Sequence, residues 1–122
     1  MEDNITTYII GNGNCLFRCL SCFLYNKQNF NNIVRKHIVE YVVKNWENFK
    51  NFVIGDMSYN RQINNVEDYR NFILENGSYG ADTEITAFVQ LYNINILVYS
   101  FSEEEPRIFE NFLCENKLIL HF

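Results

Sequence analysis

Proline occurs once, at Pro106, and glycine only five times in 122 residues. No Gly/Ser tract and no internal repeat divides the chain, so nothing reads as a linker and a single domain over 1–122 is expected. Basic residues are also scarce, ten Lys and Arg against fifteen Asp and Glu, for a net charge of −5 and a pI near 4.9. That balance argues against a basic nucleic-acid-binding surface. No apolar run approaches the roughly 20 residues of a membrane span. The Met-Glu-Asp-Asn start lacks the basic and apolar segments of a secretory signal. The expectation is therefore a cytoplasmic monomer, with the nucleus as second location, and neither nucleic acid nor membrane as partner. What the chain does have is a hydrophobic fraction of 48%, enough to bury a core.

Four cysteines are present, and three of them, Cys15, Cys19 and Cys22, fall within eight residues. The reducing cytosol disfavours disulfides among them. Cys19 and Cys22 form a C-x-x-C pair, but a zinc site would need a second ligand pair, and only Cys114 and His121 lie near each other. The spacing of Cys15, Cys19 and Cys22 suits one face of a buried helix. The residues therefore favour packed thiols over a structural zinc site. Asparagine is abundant, for example Asn29, Asn31, Asn32, Asn45, Asn48, Asn51, Asn64 and Asn65, and blurs the helix caps because it caps well wherever it falls.

Hydrophobic patterning divides the chain into a helical first part and a strand-rich end. Residues 5–10 are β-branched and aromatic and read as a short extended segment. Gly11-Asn12-Gly13-Asn14 breaks it, and Cys15 to about Tyr25 reads as a buried helix. A longer helix is expected from about Phe30 to Phe52, with Ile33, Val34, Ile38, Tyr41, Val42 and Phe49 on its inner stripe. Residues 66–75 suggest a third helix, stopped by Asn76-Gly77. A fourth runs to about Tyr92, capped by Asp82 or Thr83. Strands are expected over 94–101, 107–113 and 118–122. Helices first and strands last give an α+β class, with helices packed on a small, mainly antiparallel sheet.

The most informative stretch is Gly11-Asn12-Gly13-Asn14-Cys15-Leu16-Phe17-Arg18. It puts a cysteine at the start of a helix, directly after a glycine-rich turn. Backbone N–H groups and the helix dipole at that end favour a thiolate and could receive a developing oxyanion. The glycines permit a sharp bend and close approach of a substrate. A nucleophilic thiol needs a base. The chain offers only His37, in mid-helix, and His121, at the end of a predicted strand. The residues alone leave two alternatives beside a thiol enzyme: a packed core cysteine, and a redox or zinc-bound module built on the cysteine cluster. No Lys-Ser/Thr follows the glycines, so they do not form a phosphate loop.

That stretch resembles the Asp-Gly-Asn-Cys-Leu-Phe-Arg signature of the ovarian tumour (OTU) family of cysteine proteases, which remove ubiquitin. Tyr79-Gly80-Ala81-Asp82-Thr83-Glu84-Ile85 is similar to the family's Trp-Gly-Gly-x-x-Glu-Leu. Leu118-Ile119-Leu120-His121-Phe122 is similar to its closing strand, with the catalytic His and a following aromatic. The blocks occur in the family order and span residues 8 to 122.

The resemblance implies an OTU-like fold within the papain-like superfamily and ubiquitin or polyubiquitin, or a ubiquitin-like modifier, as partner. It implies Cys15 as nucleophile and His121 as general base. The N–H of Cys15, with those of the Asn12–Asn14 turn including Gly13, would form the oxyanion hole. Tyr79 and Gly80 would wall the site, and Glu84 would be a structural residue at a helix start. The implied reaction is hydrolysis of the isopeptide bond between the ubiquitin C-terminus and lysine, through a thioester, and the resemblance implies metal: none, and no cofactor.

Two departures bear on this. Asn12 stands where the family has Asp; it keeps hydrogen-bonding shape without the charge and can still orient a histidine. Relatives also carry Asn or Asp two residues after the histidine, whereas this sequence stops at Phe122, as a C-terminally trimmed domain would. The third catalytic member is then Asn12 or lies beyond Phe122. These departures motivate an alternative, an OTU-fold pseudo-enzyme that binds ubiquitin without cleaving it.

Overall fold

The computed structural model describes residues 4–8, 14–56, 59, 61–99, 105–110 and 117–121, with the strand at 4–8 and most of that at 117–121 described through the backbone. Strand β1 (Asn4–Tyr8) is followed by helices α1 (Cys15–Tyr25), α2 (Asn31–Lys44), α3 (Trp46–Val53), α4 (Val66–Leu74) and α5 (Asp82–Tyr92). Strands β2 (Asn95–Tyr99), β3 (Arg107–Phe109) and β4 (Lys117–His121) close the chain. The α+β expectation holds.

The sheet's strand directions correct the expectation of a mainly antiparallel sheet. Its order is β1-β4-β2-β3. β4 runs parallel to both β1 and β2, and β2–β3 alone of these pairs is antiparallel. The first and last strands of the chain are thereby neighbours, with Tyr8 opposite His121 and His121 opposite Tyr99. Reading strands one by one from alternation carries no information on such long-range pairing.

The expected long helix at 30–52 is two helices preceded by a 3-10 turn at Gln28–Phe30. Asn45 makes the break. Its side-chain Nδ2 and its backbone N–H both donate to the Tyr41 carbonyl, at 2.9 and 3.1 Å, and its own carbonyl accepts from Asn48 N–H. A short amide competing for the backbone is what interrupts the helix. The inner stripe of α2 is Val34, Arg35, Ile38, Val39 and Val42, and Ile33 faces outward at 45% exposure. α4 ends at Leu74, before the expected cap. Gly77, at φ +90°, instead serves the following turn, closed by Ser78 N–H on the Glu75 carbonyl. Asparagines do end two helices, Asn26 after α1 and Asn93 after α5, both left-handed.

One core joins the layers. Phe17 and Leu20 of α1, Ile38 and Val42 of α2, Tyr69 and Ile73 of α4, Phe88 of α5 and Ile96 and Val98 of β2 are all sealed from solvent. Among the described residues, no helix is long and apolar enough to cross a membrane.

Candidate active site

Cys15 is the first residue of α1, with Asn14 as its cap, and is 7% exposed. It lines a cleft of about 260 Å³ together with Leu16, Tyr79, Gly80, Ala81, Asp82, Ile85 and Arg107. Two of the three sequence blocks thus meet: the glycine-turn cysteine and the Tyr79-Gly80 segment face one cavity. Gly80 packs closely on α1. A Cβ there would sit 2.6 Å from Leu16 Cδ2 and 3.1 Å from Phe17 Cζ. The segment therefore lies directly against the start of α1. Tyr79 beside it is 55% exposed, at the rim. Arg107 of β3 donates to Asp82 at the start of α5, joining sheet and helix at the other rim. Asp82 also borders a larger groove of about 450 Å³, where Phe49 is buried and Phe52 exposed.

The third block is reached through the backbone. His121 ends β4 opposite Tyr8, the last residue of β1, and residues 9–14 lead from there to Cys15. The topology brings the end of the last strand beside the strand that feeds α1. The side chain of His121, and Asn12, Gly13 and Cys114, lie outside the described residues. His37, the other histidine, is exposed on α2, with Nδ1 3.1 Å from Tyr92 Oη. Cys19 is a buried thiol as expected, while Cys22 is only half-buried.

Behind the cleft lie two buried ionic groups. Glu84, the structural residue of the second block, is fully buried. Its Oε1 accepts from Ala81 N–H at 2.7 Å, fixing the start of α5. Ala81, not Asp82 or Thr83, is the cap residue, and the Glu84 side chain supplies the capping contact that alanine cannot. Tyr59 Oη donates to the same carboxylate at 2.8 Å, and so does Tyr69 Oη. Burial pushes the Glu84 carboxyl up to about 7, against the pull of these donors. Burial first, and the Glu84 charge second, raise both tyrosines.

The second group, Arg35, escaped the sequence reading. It is 2% exposed on the inner stripe of α2. Its Nη1 donates to the carbonyls of Ile73 and Ser78 at 2.7 and 2.8 Å, and its Nη2 to Asn14 Oδ1 at 2.7 Å. The guanidinium lies 4.0 Å over the Phe17 ring. Burial lowers its pKa to about 10, partly offset by Glu84, so it stays a cation at neutral pH. The available signal was a lone arginine at position 35, three and four residues before Ile38 and Val39 on an otherwise apolar stripe.

Residues 10–121 match the family model of the OTU-like cysteine proteases. The chain belongs to that family. It is 32% identical over 99 residues to OTU domain-containing protein 5 of Rattus norvegicus, an alignment covering 80% of this chain and 16% of the relative. It is 30% identical over 113 residues to the OVARIAN TUMOR DOMAIN-containing deubiquitinating enzyme 9 of Arabidopsis thaliana, covering 91% and 30%. The chain thus spans under a third of the length of either relative. Among solved structures, the OTUD1 OTU domain superposes with a TM-score of 0.72 at 23% identity, over 95% of this chain and 77% of that one. The OTU fold expected from the three blocks is therefore the fold of this chain.

Proposed function

We propose that this OTU domain is a thiol hydrolase that cleaves the isopeptide bond between the ubiquitin C-terminus and a lysine. The observation that carries the reading is Cys15 at the first position of α1, lining a cleft whose facing wall is the Tyr79-Gly80 segment. A relative named as a deubiquitinating enzyme supports the reaction class. A structural neighbour solved as an OTU domain in complex with ubiquitin, at TM-score 0.64 and 17% identity over 93% of this chain and 61% of that chain, supports ubiquitin as partner.

In this reading Cys15 Sγ attacks the terminal carbonyl carbon of ubiquitin. The N–H groups at the start of α1 and in the Asn12–Asn14 turn receive the oxyanion. His121 takes the thiol proton and delivers it to the departing lysine amine. The thioester left on Cys15 is then hydrolysed by water, with His121 again as base. Asn12 is the residue in the chain's own motif that would orient His121. The substrates would be cytosolic conjugates.

The test is turnover of ubiquitin bearing a fluorogenic amide at its C-terminus, by the chain and by Cys15→Ala. Signal lost on substitution is the expected result. Signal retained by Cys15→Ala would overturn the assignment. Binding without turnover by the unsubstituted chain would favour a ubiquitin-binding pseudo-enzyme, the reading that Asn12 in place of Asp supports.

A further inference from the structure

Asn14 sits where a helix-capping side chain belongs; its carbonyl accepts from Arg18 N–H at 2.9 Å, yet its side chain makes no capping hydrogen bond to α1. Such a contact ordinarily stabilises the start of a helix. The Asn14 Oδ1 is turned elsewhere, accepting from Arg35 Nη2 at 2.7 Å and from Gly77 N–H at 2.9 Å. Both donors lead to the opposite wall. Gly77 opens the segment that continues through Tyr79 and Gly80, and the same guanidinium holds the Ser78 carbonyl at 2.8 Å through Nη1. One planar cation therefore joins the residue before Cys15 to the segment facing it. A cation needing only to be satisfied could take any buried carbonyls. This one holds the residue before each of two residues that line the cleft, Asn14 before Cys15 and Ser78 before Tyr79.

We propose that Arg35 is a positioning residue for the Cys15 reaction, setting through Asn14 and Ser78 the spacing between the helix start that carries the nucleophile and the Gly77–Gly80 wall. The proposal rests on the reading of Cys15 as nucleophile. Arg35 touches no reacting atom in it. Its effect is on how the bound carbonyl meets Sγ and the oxyanion donors, so it acts on kcat more than on KM. A lysine at 35 keeps the charge but loses the planar fork that spans two walls. A leucine at 14 keeps the bulk and loses the acceptor.

The experiment measures kcat and KM on ubiquitin with a C-terminal fluorogenic amide, for Arg35→Lys, Asn14→Leu, their double variant and Asn14→Asp, each checked for folding by circular dichroism. Misplacement of a reacting group on the ångström scale costs on the order of 10–100-fold, and that loss is expected in kcat for each of the first two, with KM changing about threefold or less. The double variant is expected within about threefold of the slower single, because both substitutions cut one link. Asn14→Asp restores an acceptor oxygen and should recover a large part of the Asn14→Leu loss. Folded single variants with unchanged kcat, losses confined to KM, or multiplicative losses would overturn the proposal.

A separate readout covers failure of the hydrolase reading itself. If the unsubstituted chain does not turn over ubiquitin, the rate at which iodoacetamide alkylates Cys15 is followed by mass spectrometry in the same variants. Non-additive changes there support the link, and identical rates in all variants contradict it.

Discussion

Arg35 and Glu84 share one core, both sealed from water, and burial pushes each toward its neutral form by a similar amount, with different consequences. Arg35 is met by two backbone carbonyls and an amide oxygen, and it remains fully ionised at neutral pH. Glu84 is met by two phenols and by the backbone N–H groups of Ala81 and of Glu84 itself, and burial still brings its carboxyl to about 7. The guanidinium starts from 12.5, so burial leaves it near 10, still far above neutral pH. The carboxyl starts from 4.5, so a shift of similar size in the other direction brings it to neutrality. The two groups hold opposite ends of the cleft wall, Arg35 at Ser78 and Glu84 at Ala81. One end is indifferent to pH near neutrality and the other is not.

The comparison breaks most severely at the cationic end. Arg35→Met should destabilise the domain by about 3–5 kcal/mol, since two buried carbonyls and the half-buried Asn14 amide oxygen lose a charged donor. Urea unfolding at pH 7 measures this, and a loss below about 1 kcal/mol would mean those acceptors find other donors.

At the anionic end the effect is a pH slope. The folded carboxyl titrates near 7, above the ordinary 4.5, so the folded state holds this proton more tightly than the unfolded chain. The stabilisation is complete below pH 4.5, is lost as pH rises through 7, and amounts to about 3 kcal/mol over that window. Glu84→Gln has no such proton. The stability difference between the two proteins should therefore shift by about that amount from pH 4 to pH 8, in favour of the glutamine variant at the higher pH. A difference independent of pH would mean the carboxyl keeps an ordinary pKa.

Between the two anchors, Gly80→Ala forces a methyl to within 2.6 Å of Leu16 Cδ2. A cost of about 1–3 kcal/mol is expected, with reduced access to Cys15 in alkylation. The smallest effect is expected from Tyr69→Phe. It removes one donor from Glu84, raises that carboxyl further, and costs about 1 kcal/mol above pH 7. Nuclear magnetic resonance of the Glu84 carboxyl carbon would show whether its titration moves upward.

The cleft was legible wherever a residue's role is local. A cysteine after a glycine-containing turn announces a helix start and Tyr79-Gly80 a wall, although the cap residue is Ala81, served by Glu84, and not the expected Asp82 or Thr83. Arg35 was illegible because its partners, Asn14, Ile73 and Ser78, are 21 to 43 residues away and two of them contribute only carbonyls. No residue type advertises a carbonyl. The parallel β1–β4 pairing was hidden in the same way, since it joins the two ends of the chain. The Asn45 break failed for the opposite reason: among so many asparagines, nothing in the sequence singles out the one whose side chain interrupts a helix.

The most direct test of Cys15 as a nucleophile toward ubiquitin is to mix the chain with ubiquitin carrying a thiol-reactive C-terminal warhead and weigh the product by mass spectrometry. One covalent ubiquitin per chain is predicted, absent in Cys15→Ala and formed more slowly in His121→Ala. A folded protein that forms no adduct, or an adduct that survives in Cys15→Ala, would contradict the account.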